Sequence, residues 1–244
     1  MLVVAKTAAR FVLGLRIRTS EYLSFVAGKT GLEIGGPSGA FRDGGLMPVY
    51  RYAASIDNCA WAEQTWMHSF REGQTFHYYR QKRPGQTYIR EATDLHGLGD
   101  YAFLLTSHVL EHCANPLKAL QEWRRVLKPG GFLAIVVPHY RYIQDRPRGA
   151  TPIAHMMEDF RANRDESDLT HVNEVIELQE FEPTDRAPTR DAKRQLLLGN
   201  ATLRVMHHHC FDEHNAPKVL EAAGLSVRHM KFVRPYHLVL LATS

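Results

Sequence analysis

The feature that most constrains this chain is an acid-to-glycine step at the end of a short apolar run, Thr30 to Ile34. It reads Glu33-Ile34-Gly35-Gly36-Pro37-Ser38-Gly39. Glycine tolerates positive φ and presents no side chain, so a strand that ends this way lets the backbone approach a ligand closely. A second short apolar run ends in Ser55-Ile56-Asp57-Asn58. In a doubly wound sheet Asp57 would sit at the same strand edge and accept both hydroxyls of a ribose. Tyr101 to Thr106 and Phe132 to Val137 read as buried parallel strands. Between them Asn115-Pro116 caps a helix marked by Leu117, Leu120, Trp123 and Leu127, and Pro129-Gly130-Gly131 stops it. These pieces make a β-α-β unit, and they predict an α/β fold with a doubly wound sheet.

The ligand expected at this edge is narrowed by what the glycine loop lacks. Dinucleotide sites use G-x-G-x-x-G to bring a pyrophosphate to a helix N-terminus. Here the order is Gly35, Gly36, Gly39, with Pro37 where a second spaced glycine would stand. A glycine loop preceded by a carboxylate suits a ligand that has an ammonium group and no phosphate, and S-adenosylmethionine is such a ligand.

From about Gly31 to Pro138, and again near His207, the chain resembles the class I S-adenosylmethionine-dependent methyltransferases. The first stretch looks like the family's E/D-x-G-x-G-x-G loop, with Pro37 replacing the middle glycine. Asp57 matches the ribose-binding acid. Asp94, within Glu91-Ala92-Thr93-Asp94-Leu95, matches the acid that meets the adenine amino group. The most specific part is Ser107-His108-Val109-Leu110-Glu111-His112, continuing through Asn115-Pro116-Leu117 to Arg125-Val126-Leu127-Lys128-Pro129-Gly130-Gly131. It resembles the type 11-like subgroup with the pattern HVLEH followed by RVLKPGG. The resemblance implies a cofactor-binding set of Glu33, Gly35, Gly36, Pro37, Gly39, Asp57, Asn58, Asp94, Leu95 and Ser107. It also implies a Rossmann-like fold with a seven-stranded, mostly parallel sheet whose last strand is antiparallel.

The 244 residues, 44% of them hydrophobic, can bury one core plus an excursion. A helical segment is expected over residues 1–27 and a methyltransferase domain over 28–244. The net charge of +4 is spread along the chain, so no nucleic-acid partner is expected. Cys59, Cys113 and Cys210 are far apart and odd in number, which suits a reducing, cytoplasmic compartment. Lys6 and Arg10 interrupt any apolar run long enough for a secretion signal. No run approaches the ~20 apolar residues of a spanning helix. Val4, Ala8, Phe11 and Leu15 share one helical face, which could cover the domain, dock on a glycosyltransferase or lie peripherally on an anionic membrane.

An insertion expected at about 139–206 follows the fifth strand. It is dense in acids, and with the segment that follows it holds His139, His155, His171, His207, His208, His209 and His214, half of the fourteen histidines. His155 and Asp159 are four apart, and Asp168, His171 and Glu174 are spaced by three, so on helices each set would share a face. Three readings stay open: a solvated surface, a general base with its orienting carboxylate, or a divalent-metal site, the last not favoured. Alternation along His207-His208-His209 would point only part of it inward.

Methyl transfer from a sulfonium is an in-line displacement, and a hydroxyl nucleophile also needs a base. His108 and His139, after the fourth and fifth strands, are candidates for that base, with Asp168 and His171 as further catalytic candidates. His108 reads equally well as a helix cap, and His112 as helix packing. The subgroup's resemblance to proteins of bacterial surface polysaccharide assembly implies O-methylation of a sugar hydroxyl on a glycan or glycan precursor. Alternatives are another small-molecule or lipid-linked acceptor, or a catalytically silent module.

Overall fold

Five strands run parallel in a computed structural model that describes residues 16–65, 68–80 and 82–244. They are β1 (Thr30–Ile34), β2 (Ser55–Ala60), β4 (Gly85–Ile89), β5 (Tyr101–Ser107) and β6 (Leu127–Pro138). β8 (His237–Thr243) pairs antiparallel with β6 and with β7 (Ser226–Val233), and the two-residue β3 (Thr75–Phe76) pairs antiparallel with β4. The order is β3-β4-β2-β1-β5-β6-β8-β7, an eight-stranded mixed sheet where seven strands were expected. The extra strand is β3, too short to leave an apolar alternation in the sequence.

Both faces of the sheet are covered, which is why the strands read as nearly continuous apolar runs. On β6, Leu133, Ile135 and Val137 enter one core while Phe132, Ala134 and Val136 enter the other. The first core is closed by α2 (Pro116–Arg125) and α7 (Asn215–Ala222), with Leu117, Leu120, Trp123, Val219 and Leu220 buried. The second takes Tyr22, Phe41, Met47 and Tyr50 from the chain around β1, and Val26 from α1 (Leu23–Val26).

The helix between β5 and β6 begins where Asn115 and Pro116 predict. The Asn115 side chain accepts the Lys118 N–H at 3.0 Å, satisfying one of the helix's orphan donors. It ends at Arg125, and Leu127, expected on the helix, already pairs with Tyr101 as the first residue of β6. Pro129-Gly130-Gly131 therefore forms an irregularity inside the strand's span, with Gly130 at φ +70°.

Between β6 and β7 lie α3 (Ile153–Arg161), α4 (Val172–Leu178), α5 (Arg190–Leu198), α6 (Asn200–Leu203) and α7. Val172, Val175, Ile176, Leu197 and Met206 build a small core of their own there. The helical face of Val4, Ala8, Phe11 and Leu15 lies outside the described residues. Among the described residues no helix is long and apolar enough to cross a membrane. All three cysteines are free and buried.

Candidate active site

Glu33 turns under the glycine loop and is completely buried. Its Oε1 accepts the Ser38 N–H at 2.9 Å, and its Oε2 accepts the Tyr50 hydroxyl at 2.7 Å. Burial pushes the Glu33 carboxyl up to about 7, against the opposing pull of the Tyr50 and Ser38 donors. The same burial, with the Glu33 charge, holds Tyr50 far above the usual phenol range, so it stays a donor. Gly36 is required by this arrangement, because a Cβ there would come within 2.4 Å of the Glu33 carboxyl carbon. Gly35, at φ +75°, donates to Cys59 O at 2.9 Å, and Gly36 donates to Asn58 Oδ1 at 3.0 Å. Glu33 and Asn58 thus shape the loop from below.

Above that loop, at the carboxyl ends of the parallel strands, lies a cavity of 430 Å³. One side is Gly35 to Gly39, and the opposite side is Glu91 and Ala92, just past β4. Ser107 and His108 from the end of β5, with Val109 and His112, form the floor nearest α2. Trp61 and Phe70 add aromatic wall. Glu166 and Arg204, from the chain between β6 and β7, complete it. Arg204 donates to Glu91 Oε1 at 2.6 Å and lies 3.2 Å from Glu166 Oε2, so it ties the two rims together.

Of the residues singled out in the sequence, Gly35, Gly36, Pro37, Gly39, Ser107 and His108 line the cavity. Glu33, Asn58, Asp57, Asp94 and Leu95 do not. β2 continues to Ala60, so Asp57 lies inside the strand and not at its edge. Its carboxylate accepts the Gln86 N–H and the Tyr101 hydroxyl, each at 2.9 Å. Asp94 is exposed beside His96, and Leu95 is buried in the core with its N–H on Glu122. The acid brought to the cavity after β4 is Glu91, three residues earlier.

His108 adopts a left-handed backbone at φ +56°, rare for a residue with a side chain and concentrated at functional sites. Its Nδ1 lies 3.2 Å from Oε1 of the buried Glu111, and its Nε2 is 3.1 Å from His237 Nδ1. Burial raises the Glu111 carboxyl, yet the imidazoles of His108, His112 and His207 together outweigh it and leave Glu111 below its ordinary range. Burial and the neighbouring His108 lower His237 to about 4, so it is neutral near pH 7. His108 therefore has a carboxylate on one ring nitrogen and a neutral imidazole on the other.

His139 does not reach the cavity. It is buried, its Nε2 2.7 Å from Glu213 Oε2, and its Nδ1 accepts the Arg141 N–H at 3.3 Å. Asp168 accepts from Thr170 in a turn and pairs with Arg164 at 3.5 Å, so it is not on a helix with His171. His171 precedes α4 and meets His155 and Glu174 away from the cavity. The run His207-His208-His209 is not a regular strand, so alternation fails: His208 and His209 are both buried, and His207 binds Asp145 at 2.5 Å. Arg204, Glu166 and His237 were missed because only the folded chain brings them to β4 and β5. Glu111 lay inside a recognised motif, but its adjacency to His108 is visible only once the left-handed turn forms.

A doubly wound sheet with a glycine-loop cavity at its carboxyl edge defines a ligand-binding α/β domain. The chain matches the family described as Methyltransferase domain over residues 5–230, and it belongs to that family. Among solved structures, an S-adenosylmethionine-dependent methyltransferase from Mesorhizobium loti is 14% identical, covers 93% of this chain and 97% of its own, and aligns with a TM-score of 0.52. A SAM-dependent methyltransferase from Methanosarcina mazei is 13% identical, with 94% and 99% covered and a TM-score of 0.51. These likenesses are of fold. No curated protein matches the chain by sequence.

Proposed function

We propose that the chain transfers a methyl group from S-adenosylmethionine to a hydroxyl, with a sugar of a glycan or glycan precursor as the acceptor. The observation that carries this reading is that one cavity holds both the glycine loop and His108, in a chain of the methyltransferase family. Its residues suit the cofactor. Trp61, Phe70 and Val109 offer apolar wall to a base and a thioether chain, and Glu91 offers acceptor oxygens. A phosphate would find little free positive charge, because Arg204 is engaged by Glu91 and Glu166 and Arg90 by Glu72.

When bound, the cofactor supplies an electrophilic methyl on a sulfonium. The protein's share is then to hold the acceptor oxygen in line and to take its proton. His108 Nε2 is the receiving atom, since Glu111 beside Nδ1 favours the tautomer with the Nε2 lone pair free and stabilises the imidazolium that forms. An incoming hydroxyl replaces His237 at that lone pair. His112, Glu166 and Arg204 supply the polar contacts a sugar needs.

Calorimetry with S-adenosylhomocysteine followed by methyl-label transfer to a panel of mono- and oligosaccharides tests the reading. Binding with label on a sugar oxygen is expected. Absence of binding overturns the cofactor, label on nitrogen or carbon overturns the hydroxyl, and binding without transfer to any acceptor favours a silent module.

A further inference from the structure

Behind the cavity wall, four side chains from three separated stretches converge on one point. His155 and Asp159 come from successive turns of α3, His171 from the residue before α4, and His209 from the return toward α7. One ligand atom from each lies within 4.8 Å of the others. His155 Nε2 is 3.1 Å from His171 Nε2 and 3.4 Å from Asp159 Oδ2, and His209 Nε2 is 3.6 Å from the same oxygen. A tetrahedral zinc with bonds of about 2.0–2.2 Å sets its ligands about 3.3–3.6 Å apart. Three of the six ligand-ligand edges are therefore close to those of such a shell, and the others stay within 4.8 Å.

Two further observations point to a cation. Asp159 Oδ2 is buried and has no hydrogen-bond partner, although it faces the imidazoles. A carboxylate oxygen in that position costs several kcal/mol unless a positive charge meets it. His171 Nδ1 lies 3.0 Å from Glu174 Oε2, and Glu174 Oε1 in turn accepts the Arg148 Nε–H at 2.9 Å. A carboxylate only accepts, so the proton of neutral His171 sits on Nδ1 and its Nε2 lone pair is turned into the cluster. That carboxylate-histidine relay is the usual outer support of a metal-bound imidazole.

We propose that His155, Asp159, His171 and His209 form a structural zinc site. Three imidazole nitrogens and one carboxylate oxygen suit zinc better than magnesium or calcium, which want six or more oxygens. The set is filled by four protein ligands, so zinc acts there as a staple and not as a catalyst. It fastens α3 and the segment leading into α4 to the 207–211 return. Without a metal, His155 Nε2 and His171 Nε2 hydrogen-bond each other at 3.1 Å, and His209 Nε2 lies 3.3 Å from the Ala114 carbonyl, long for a hydrogen bond. The Ala114 N–H is held by Glu166 Oε1, so the staple also backs the cavity rim. The site does not depend on the methyl-transfer reading.

The experiment measures metal in the full chain purified from zinc-supplemented cells. One zinc per chain is expected. Dipicolinate should remove it and lower the melting temperature by about 5 °C or more, and zinc sulfate, but not magnesium, should restore it. Cobalt exchanged into the site should give the intense visible bands of a tetrahedral centre without thiolate charge transfer. His155 is the most exposed of the four, so His155→Ala should keep its circular dichroism while losing stoichiometric zinc. A protein that holds no zinc and whose melting is unmoved by zinc or chelator overturns the site. So does a cobalt spectrum that is octahedral or thiolate-bearing, or zinc retained equally by His155→Ala. If that variant does not fold, the cobalt spectrum of the wild type decides.

Discussion

His108 places its Nδ1 3.2 Å from Oε1 of Glu111, three residues on, because its backbone turns left-handed at φ +56°. A right-handed residue would not set the imidazole between that carboxylate and His237. If this pair takes the acceptor proton, His108→Ala should lower kcat by about 100-fold or more. Glu111→Gln, which keeps the shape and removes the charge, should lower it by about tenfold. S-adenosylhomocysteine affinity in both should stay near the parental value, measured by calorimetry. An unchanged kcat in His108→Ala would remove the histidine from the mechanism.

Four of the five parallel strands were legible because they are buried on both faces and end in glycine or polar steps; β4, with its alternating burial, was not. β1 and β2 carry that signal, and so does the Asn115-Pro116 start of α2. Two kinds of feature were not legible. Strand length decides where an acid projects, and the apolar run before Asp57 does not show that pairing with β1 and β4 carries β2 on to Ala60. Contacts made across the sheet edge, such as Arg204 with Glu91 over 113 positions, leave no local pattern. The histidines of the long connection were visible as a concentration, but His209 joins His155 and Asp159 only when the chain returns to the sheet.

The displacement of Asp57 from the edge separates two acids that the sequence ranks the other way. Asp57→Ala removes an acceptor from Gln86 N–H and the Tyr101 hydroxyl, which should cost about 1–3 kcal/mol of stability in urea unfolding. Its effect on S-adenosylhomocysteine affinity should stay within about twofold. Glu91→Ala should weaken that affinity about tenfold, the loss of one charge-assisted contact. The reverse order in calorimetry would return Asp57 to the site.

Glu33 makes folding stability depend on pH in the neutral range. Its carboxyl is raised from 4.5 to about 7, chiefly by burial, so between those values the folded chain holds a proton that the unfolded chain has released. The stabilisation is fully present below pH 4.5 and is lost as the pH rises through about 7. Relative to Glu33→Gln, which does not titrate, the parental protein should lose stability steadily across that window. Parallel stability curves for the two would contradict the protonated, loop-supporting carboxyl.

Arg148 is a buried cation whose removal should be felt on the acid side. Its Nη1–H donates to Asp145 Oδ1 at 2.8 Å and to His207 O at 2.9 Å, with both side chains of the ion pair 1% exposed. Burial alone would raise Asp145, but His207 and Arg148 hold it well below the usual carboxylate range. That stabilisation is present above the unfolded value of about 3.9 and is lost as the pH falls below it. Arg148→Met leaves a buried carboxylate short of one partner and should cost roughly 3–5 kcal/mol near pH 7, with a shallower loss on acidification. Equal denaturation midpoints at pH 7 would show the pair to be energetically idle.

Arg204 carries the last prediction, because it joins the β4 end to the long connection between β6 and β7 through Glu91. It is largely buried, lying 2.6 Å from Glu91 and 3.2 Å from Glu166. Arg204→Ala leaves both carboxylates at the cavity rim without their shared cation, so the rim should open and the two acids repel. Arg204→Lys restores the charge but cannot span both oxygens with a planar fork. Acceptor KM should therefore rise about tenfold or more in Arg204→Ala and be only partly recovered in Arg204→Lys, while kcat stays within about twofold of the parental value. A fall in kcat alone, with acceptor KM unmoved, would place Arg204 in the transition state and not at the rim.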